Sequence, residues 1–210
     1  MLDDGSCSAL DLGTQDNPDR VGIFADQKPD CACEKLSLSA HSPSLIGDHE
    51  CIARMVCTPM HVHSKKPELK SSFFSHVSSY GASAQRLEHA TNQELANCIT
   101  ELIGGSDDRI WLGVVVAPTF AIRELSLGSQ GKQSFCVADA ALDGNPAHAE
   151  LHCAYRVPEA DAIEYRRELM KVFNSGAIRH RKSLRAGSVW TLIPEQLRVR
   201  ELPGHWSALA

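Results

Sequence analysis

The chain has 210 residues, of which 43% are hydrophobic and 22% are charged, values that are typical of a soluble globular protein. Its longest apolar run, residues 110–117, is too short for a transmembrane helix of about 18 residues or more, so no membrane partner is expected. The net charge of −5 is concentrated in residues 1–50, which hold ten acidic and three basic side chains, and the pI of about 6.0 excludes the overall basic bias of a typical DNA-binding protein.

The first part of the chain differs in composition from the rest. Residues 1–47 are rich in Asp, Ser, Pro and Gly without a sustained period, which predicts an acidic N-terminal arm that is poorly ordered or peripherally packed. No basic region precedes an apolar segment, so we expect no secretory signal. Eight cysteines are scattered without a C-x-x-C motif, which favours reduced thiols and a cytoplasmic location. The neighbouring Cys31 and Cys33 are accordingly predicted to be incidental thiols.

Residues 48–210 are predicted to form one globular domain. In chain order the patterns predict a strand or short helix at 50–58, a long surface excursion at 59–85, a helix at 91–103, strands at 110–117, 120–125, 134–138 and 148–155, a helix at 158–174, and strands at 188–193 and 197–202. The helix at 91–103 is the clearest, because Thr91 and Glu94 have the spacing of a capping box. Short connections favour antiparallel neighbours. The predicted fold class is α+β, a mainly antiparallel sheet with two principal helices packed on one face.

Alternation within residues 148–155 is the most informative pattern for function. Side chains alternate between the two faces of a strand, so His148, Glu150 and His152 should share the face opposite to the apolar residues of this strand. Such a row can be an ordinary solvated face, or it can bind a cation or move a proton, with Glu150 and His148 as catalytic residues. His148-Ala149-Glu150 resembles half of the zinc deaminase motif, but the P-C-x-x-C half is missing, so we predict no deaminase.

Two further sets of residues are candidates for ligand binding. His61 and His63 form a His-x-His pair, and together with His148 and His152 they are predicted as ligands of a divalent transition metal, the one cofactor considered. Arg179, Arg181, Lys182 and Arg185 form a basic cluster that follows the second helix. The cluster is predicted to bind phosphate groups of a nucleotide or RNA, or else to be a solvated face that complements the helix dipole.

Three functions remain open from the sequence. The preferred one is an accessory or binding protein of the cytoplasm that contacts a protein partner in a multi-component assembly. The second is a metal-dependent hydrolase, with the four histidines as ligands and Glu150 as general base. The third is a transferase on a nucleotide-type ligand, similar to ADP-ribosyltransferases, in which Arg54 or Arg86 would assist the basic cluster in holding phosphates.

Overall fold

A five-stranded antiparallel sheet forms the centre of the computed structural model, which describes residues 6–14, 16–62, 69–128, 131–175, 178–180 and 190–192. The strands are β1 Cys51–Thr58, β2 Ala82–Arg86, β3 Ile110–Pro118, β4 Phe135–Asp139, β5 His148–Cys153, β6 Ile178–His180 and β7 Trp190–Leu192. The α-helices are α1 Ser6–Thr14, α2 Arg20–Gln27, α3 Asn92–Gly104, α4 Thr119–Arg123 and α5 Ala162–Ser175. Two 3₁₀ segments, Ala32–Lys35 and Ser71–Ser78, complete the described elements.

The strand order in the sheet is β3-β1-β2-β5-β4, and every neighbouring pair is antiparallel. This confirms the predicted α+β class with a mainly antiparallel sheet. The longest pairing joins β1 and β3, and its register shifts between Val56 and Cys57, where a bulge interrupts the ladder. Strands β6 and β7 pair with each other in a separate two-stranded sheet.

One face of the sheet carries the main hydrophobic core. Phe74 and Val77 of the second 3₁₀ segment and Leu169 and Phe173 of α5 pack there against the apolar residues of the five strands. Burial of such side chains is worth about 1.5–3 kcal/mol each, so this layer contributes strongly to stability. The buried residues of α3, in contrast, do not belong to this cluster. The prediction that the two principal helices pack on one face is therefore not confirmed.

Two segments differ from the sequence-based expectation. Residues 120–125, predicted as a strand, lie mainly in helix α4, whose Ile122 is buried in the main core. The predicted surface excursion 59–85 contains β2, which occupies the middle of the sheet, and the fully buried Phe74. Strand β2 was missed because its sequence, Ala-Ser-Ala-Gln-Arg, lacks large β-branched or aromatic residues.

The described part of the N-terminal arm, residues 6–14 and 16–47, packs against the sheet. Helix α2 lies near β5, and the first 3₁₀ segment lies near β4. The Val137 amide of β4 donates to Glu34 of the arm at 2.9 Å, which covers a strand edge that would otherwise be open to pairing. Of the two arrangements expected for the arm, peripheral packing is the one seen for these residues.

None of the described helices combines the length and apolar character that crossing a membrane requires.

Candidate functional site

Strand β5 carries the predicted row of titratable side chains, and the predicted alternation is present. Its other face is fully buried in the main core and consists of Ala149, Leu151 and Cys153. Two members of the row are covered by the N-terminal arm instead of water: Glu150 is 6% exposed and His152 is 9% exposed. The solvated-face interpretation of the row is therefore wrong for these two residues.

Glu150 forms a buried ion pair with Arg20 of α2. Arg20 Nη1 donates to the Glu150 carboxylate and, at 2.6 Å, to the carbonyl oxygen of Tyr80, while Nη2 donates to Asp11 of α1. Burial alone would lower the pKa of Arg20, but Glu150 and Asp11 raise it above its usual value, so the guanidinium stays charged. The arm thus places a permanent cation on the one carboxylate of the row.

Gly81 makes room for this carboxylate. Its φ of +90° lies in a region that residues with a side chain rarely adopt, and a Cβ at this position would overlap the carboxylate of Glu150. The turn before β2 is therefore shaped around the Arg20–Glu150 pair.

His152 is held neutral beside the arm. Its Nδ1 donates to the carbonyl oxygen of Cys153 at 3.1 Å, and its ring centroid lies 5.7 Å from that of Phe24 in α2. Burial lowers the pKa of His152, and the nearby charge of Glu150 opposes that shift only in part. The second ring nitrogen is consequently free of a proton at neutral pH.

The space between the arm and β5 is small. A cavity of about 10 Å³, roughly the room that one water molecule needs, is lined by Arg20, Val21, Phe24, Leu38, Glu150 and His152. A substrate could reach Glu150 only after the arm has moved away from β5.

The predicted catalytic pair of His148 and Glu150 shares a face but not a partner. His148 Nδ1 lies 2.7 Å from the carbonyl oxygen of Ala140, whereas Glu150 contacts Arg20. The catalytic role of the two residues stays a prediction.

Among the predicted metal ligands, the described histidines His61, His148 and His152 each bond to separate groups of the chain. His61 Nδ1 accepts the Cys57 amide at 3.1 Å, and burial together with the charge of Arg54 lowers the pKa of His61 to about 4. His148 and His152 bond to carbonyl groups of their own surroundings, and His63 lies outside the described residues. Within the described ranges no three His, Cys, Asp or Glu side chains are arranged to hold a metal ion.

The predicted phosphate-binding cluster falls largely beyond the described part of the chain. Arg179 lies in β6, while Arg181, Lys182 and Arg185 are outside the described residues. Arg54, which the transferase hypothesis also used, stacks on Phe73 with its guanidinium carbon 4.5 Å from the ring centroid. It is thus engaged within the chain.

Arg86, the other candidate phosphate ligand, is instead the centre of a buried polar cluster that the sequence did not reveal. It is fully buried, and it donates to both carboxylate oxygens of Glu50, at 2.8 and 2.9 Å. It also donates to the Ser44 carbonyl oxygen at 2.6 Å and approaches Asp139 at 3.4 Å. Burial alone would raise the pKa of Glu50, but the hydrogen bond from Arg86 lowers it. The cluster joins the loop before β1 to the ends of β2 and β4.

Four of the eight cysteines are paired, which corrects the expectation of reduced thiols. Cys7 pairs with Cys33 within the arm, and Cys31 pairs with Cys136 of β4. Cys31 and Cys33 are therefore not incidental. Their partners are 105 and 26 residues away, and no local spacing in the sequence indicates either pairing.

Comparisons with known proteins identified no relative of this chain. No protein-family model, curated protein or solved structure matches the chain.

Proposed function

We propose that the chain is an accessory or binding protein that contacts a protein partner within a multi-component assembly. The contact surface is the exposed end, defined as Leu45, Phe120 and Leu142. These side chains are 50%, 47% and 45% exposed, although large apolar residues are usually buried. Exposed apolar side chains that form a patch are typical of interaction surfaces.

The loop that presents Leu45 is held by hydrogen bonds to the segments on either side of it, and this is the main support for the proposal. The loop is joined to Asp139, after which the chain leads to Leu142, by the hydroxyl of Ser42. On the other side the Phe120 amide donates to the Asp48 carbonyl oxygen at 3.1 Å. Groups that are held in place before binding lose little conformational entropy when a partner arrives.

Charge at the exposed end indicates what the partner should present. Asp143 follows Leu142 directly, Glu124 ends the turn after α4, and both are exposed. The matching surface would be an apolar patch with a basic rim, because complementary charge favours correct encounters and opposes wrong ones.

Site-specific photo-crosslinking tests the proposal. A photoreactive residue placed at Leu45 should give one defined adduct in cells that express the chain, and the same residue at Met60 should not. Met60 is a matched control because it is also large, apolar and exposed, but it follows the opposite end of β1.

The adduct is then tested with purified proteins. Leu45→Ser with Phe120→Ser should weaken binding of the identified partner by about tenfold or more, since a few apolar anchors usually dominate an interface. Met60→Ser should leave binding unchanged. Equal adducts at Leu45 and Met60, or equal affinities of the two variants, would contradict the proposal.

The predicted cytoplasmic location is tested separately. Disulfides are rare in reducing compartments, so the Cys7–Cys33 and Cys31–Cys136 pairs count against it. Alkylation of the protein in intact cells, followed by mass spectrometry, would show free thiols at these positions if the chain resides in the cytoplasm.

The two enzymatic hypotheses stay predictions. The metal-dependent hydrolase needs His63, and the nucleotide transferase needs Arg181, Lys182 and Arg185, all of which lie outside the described residues. Metal analysis of the purified protein and a thermal-shift screen with nucleotides would test them.

A further inference from the structure

Two disulfides hold the part of the arm that covers β5, and each has a cysteine near the C-terminal end of this part. We call this part the cover, residues 6–14 and 16–33, which contains α1 and α2. Cys7–Cys33 closes the cover into a loop, and Cys31–Cys136 joins it to β4. Directly after it, Glu34 is bound by Arg123 at 2.7 Å and by the amide of Val137. The cover therefore has a natural hinge at Glu34, beyond which the chain is tied to the domain by other contacts.

Apolar packing beneath the cover is limited and includes the disulfide cysteines themselves, while the buried polar contacts of the cover include the Arg20–Glu150 pair and the hydrogen bond from the Val21 amide to the Ser79 carbonyl oxygen. Two small apolar clusters lie there, separate from the main core, and the four paired cysteines belong to them: Cys7, Cys31, Cys33 and Cys136. Within the described residues, Val21 is the cover's contribution to the main core. Arg156 pairs with Asp19 and Asp26 at an exposed site, and such pairs add little to stability.

Glu150 and His152 lie beneath the cover and can bind a ligand or transfer a proton only when the cover is open. Glu150 contacts Arg20, and His152 contacts Phe24, so both are screened from solvent by residues of α2. Removal of the cover would leave an acidic and an imidazole side chain exposed on one face of β5.

We propose that the cover is a redox-controlled lid, which opens when its disulfides are reduced and thereby exposes Glu150 and His152. In this step a dithiol donates two electrons and two protons to each disulfide and closes to its own cyclic disulfide. The two S–S bonds break, and four cysteine thiols form. The cover then opens at the hinge, because local segments with few buried apolar contacts open more readily than the core. This device is independent of the exposed end and of the function proposed for it.

Hydrogen exchange of the full chain, measured by mass spectrometry with and without dithiothreitol, tests the lid. Reduction should accelerate amide exchange in the cover by about tenfold or more, while exchange in β1 and β3 stays slow. His152 should at the same time become reactive towards diethyl pyrocarbonate.

Two variants separate the lid from other effects of the reductant. Cys31→Ser with Cys136→Ser should show fast exchange in the cover without any reductant. Cys51→Ser, at a free cysteine of β1, should respond to dithiothreitol as the wild type does. The proposal is overturned if the reduced wild type keeps its cover protected, or if β1 and β3 lose protection together with the cover.

Discussion

Replacement of Arg86 by methionine should strongly destabilise the protein. The change keeps an unbranched apolar side chain but removes the guanidinium that contacts Glu50 and Asp139. These carboxylates are 3% and 0% exposed, so neither can turn to water for compensation. Leaving a buried charge without its partner costs about 3–5 kcal/mol, a third or more of the stability of many single domains.

The pH dependence of this loss identifies its cause. In the wild type the pKa of Glu50 is lowered, so its stabilising contribution is present above the unfolded-state pKa and is lost as pH falls through the folded-state pKa. Without Arg86, burial of Glu50 is opposed by the hydrogen bond from the Gly47 amide and by the charge of His89, so the pKa of Glu50 should be higher than in the wild type. Arg86 stabilises the ionised carboxylate, and the deficit of the variant should therefore be largest near pH 7 and smaller near pH 4.

Urea unfolding followed by tryptophan fluorescence, carried out at both pH values, measures the effect. Arg156→Met is the matched control: its arginine also binds two carboxylates, Asp19 and Asp26, but lies half exposed, so only a small change is expected. The reasoning would be refuted if Arg86→Met and Arg156→Met cost the same, or if the loss for Arg86→Met did not depend on pH.

Three more substitutions have defined outcomes. Gly81→Ala should cost about 1–3 kcal/mol in chemical denaturation, because the added Cβ meets the Glu150 carboxylate and the φ of +90° becomes strained; unchanged stability would contradict the close approach. Thr91→Ala should cost about 1 kcal/mol by removing the capping box with Glu94, and Thr91→Ser should restore most of it. His61 has its pKa lowered to about 4, so stability should fall as pH drops from 6.5 towards 4, and His61→Gln should lack this pH dependence in thermal unfolding.

Elements with strong local signals were the ones predicted well from sequence. Helix α3 begins after Thr91, where the capping box was expected, because its hydrogen bonds join residues three apart. Strand β5 and its two faces followed from alternation, which is likewise a property of neighbouring residues. For the segment that forms α4, the local signal predicted the wrong structure. Its Thr, Phe and Ile residues favour a strand, but a helical turn is what buries Ile122 in the core.

Local patterns were enough to predict the secondary structure of the most regular segments and the two faces of β5. The groups that cover the second face come from parts of the chain that are distant in sequence. Glu150 and its partner Arg20 are 130 residues apart, Arg86 and Asp139 are 53 apart, and Cys31 and Cys136 are 105 apart. Periodicity and caps describe contacts within a few residues, whereas these pairings depend on how the chain returns to the sheet, a property that no local pattern encodes.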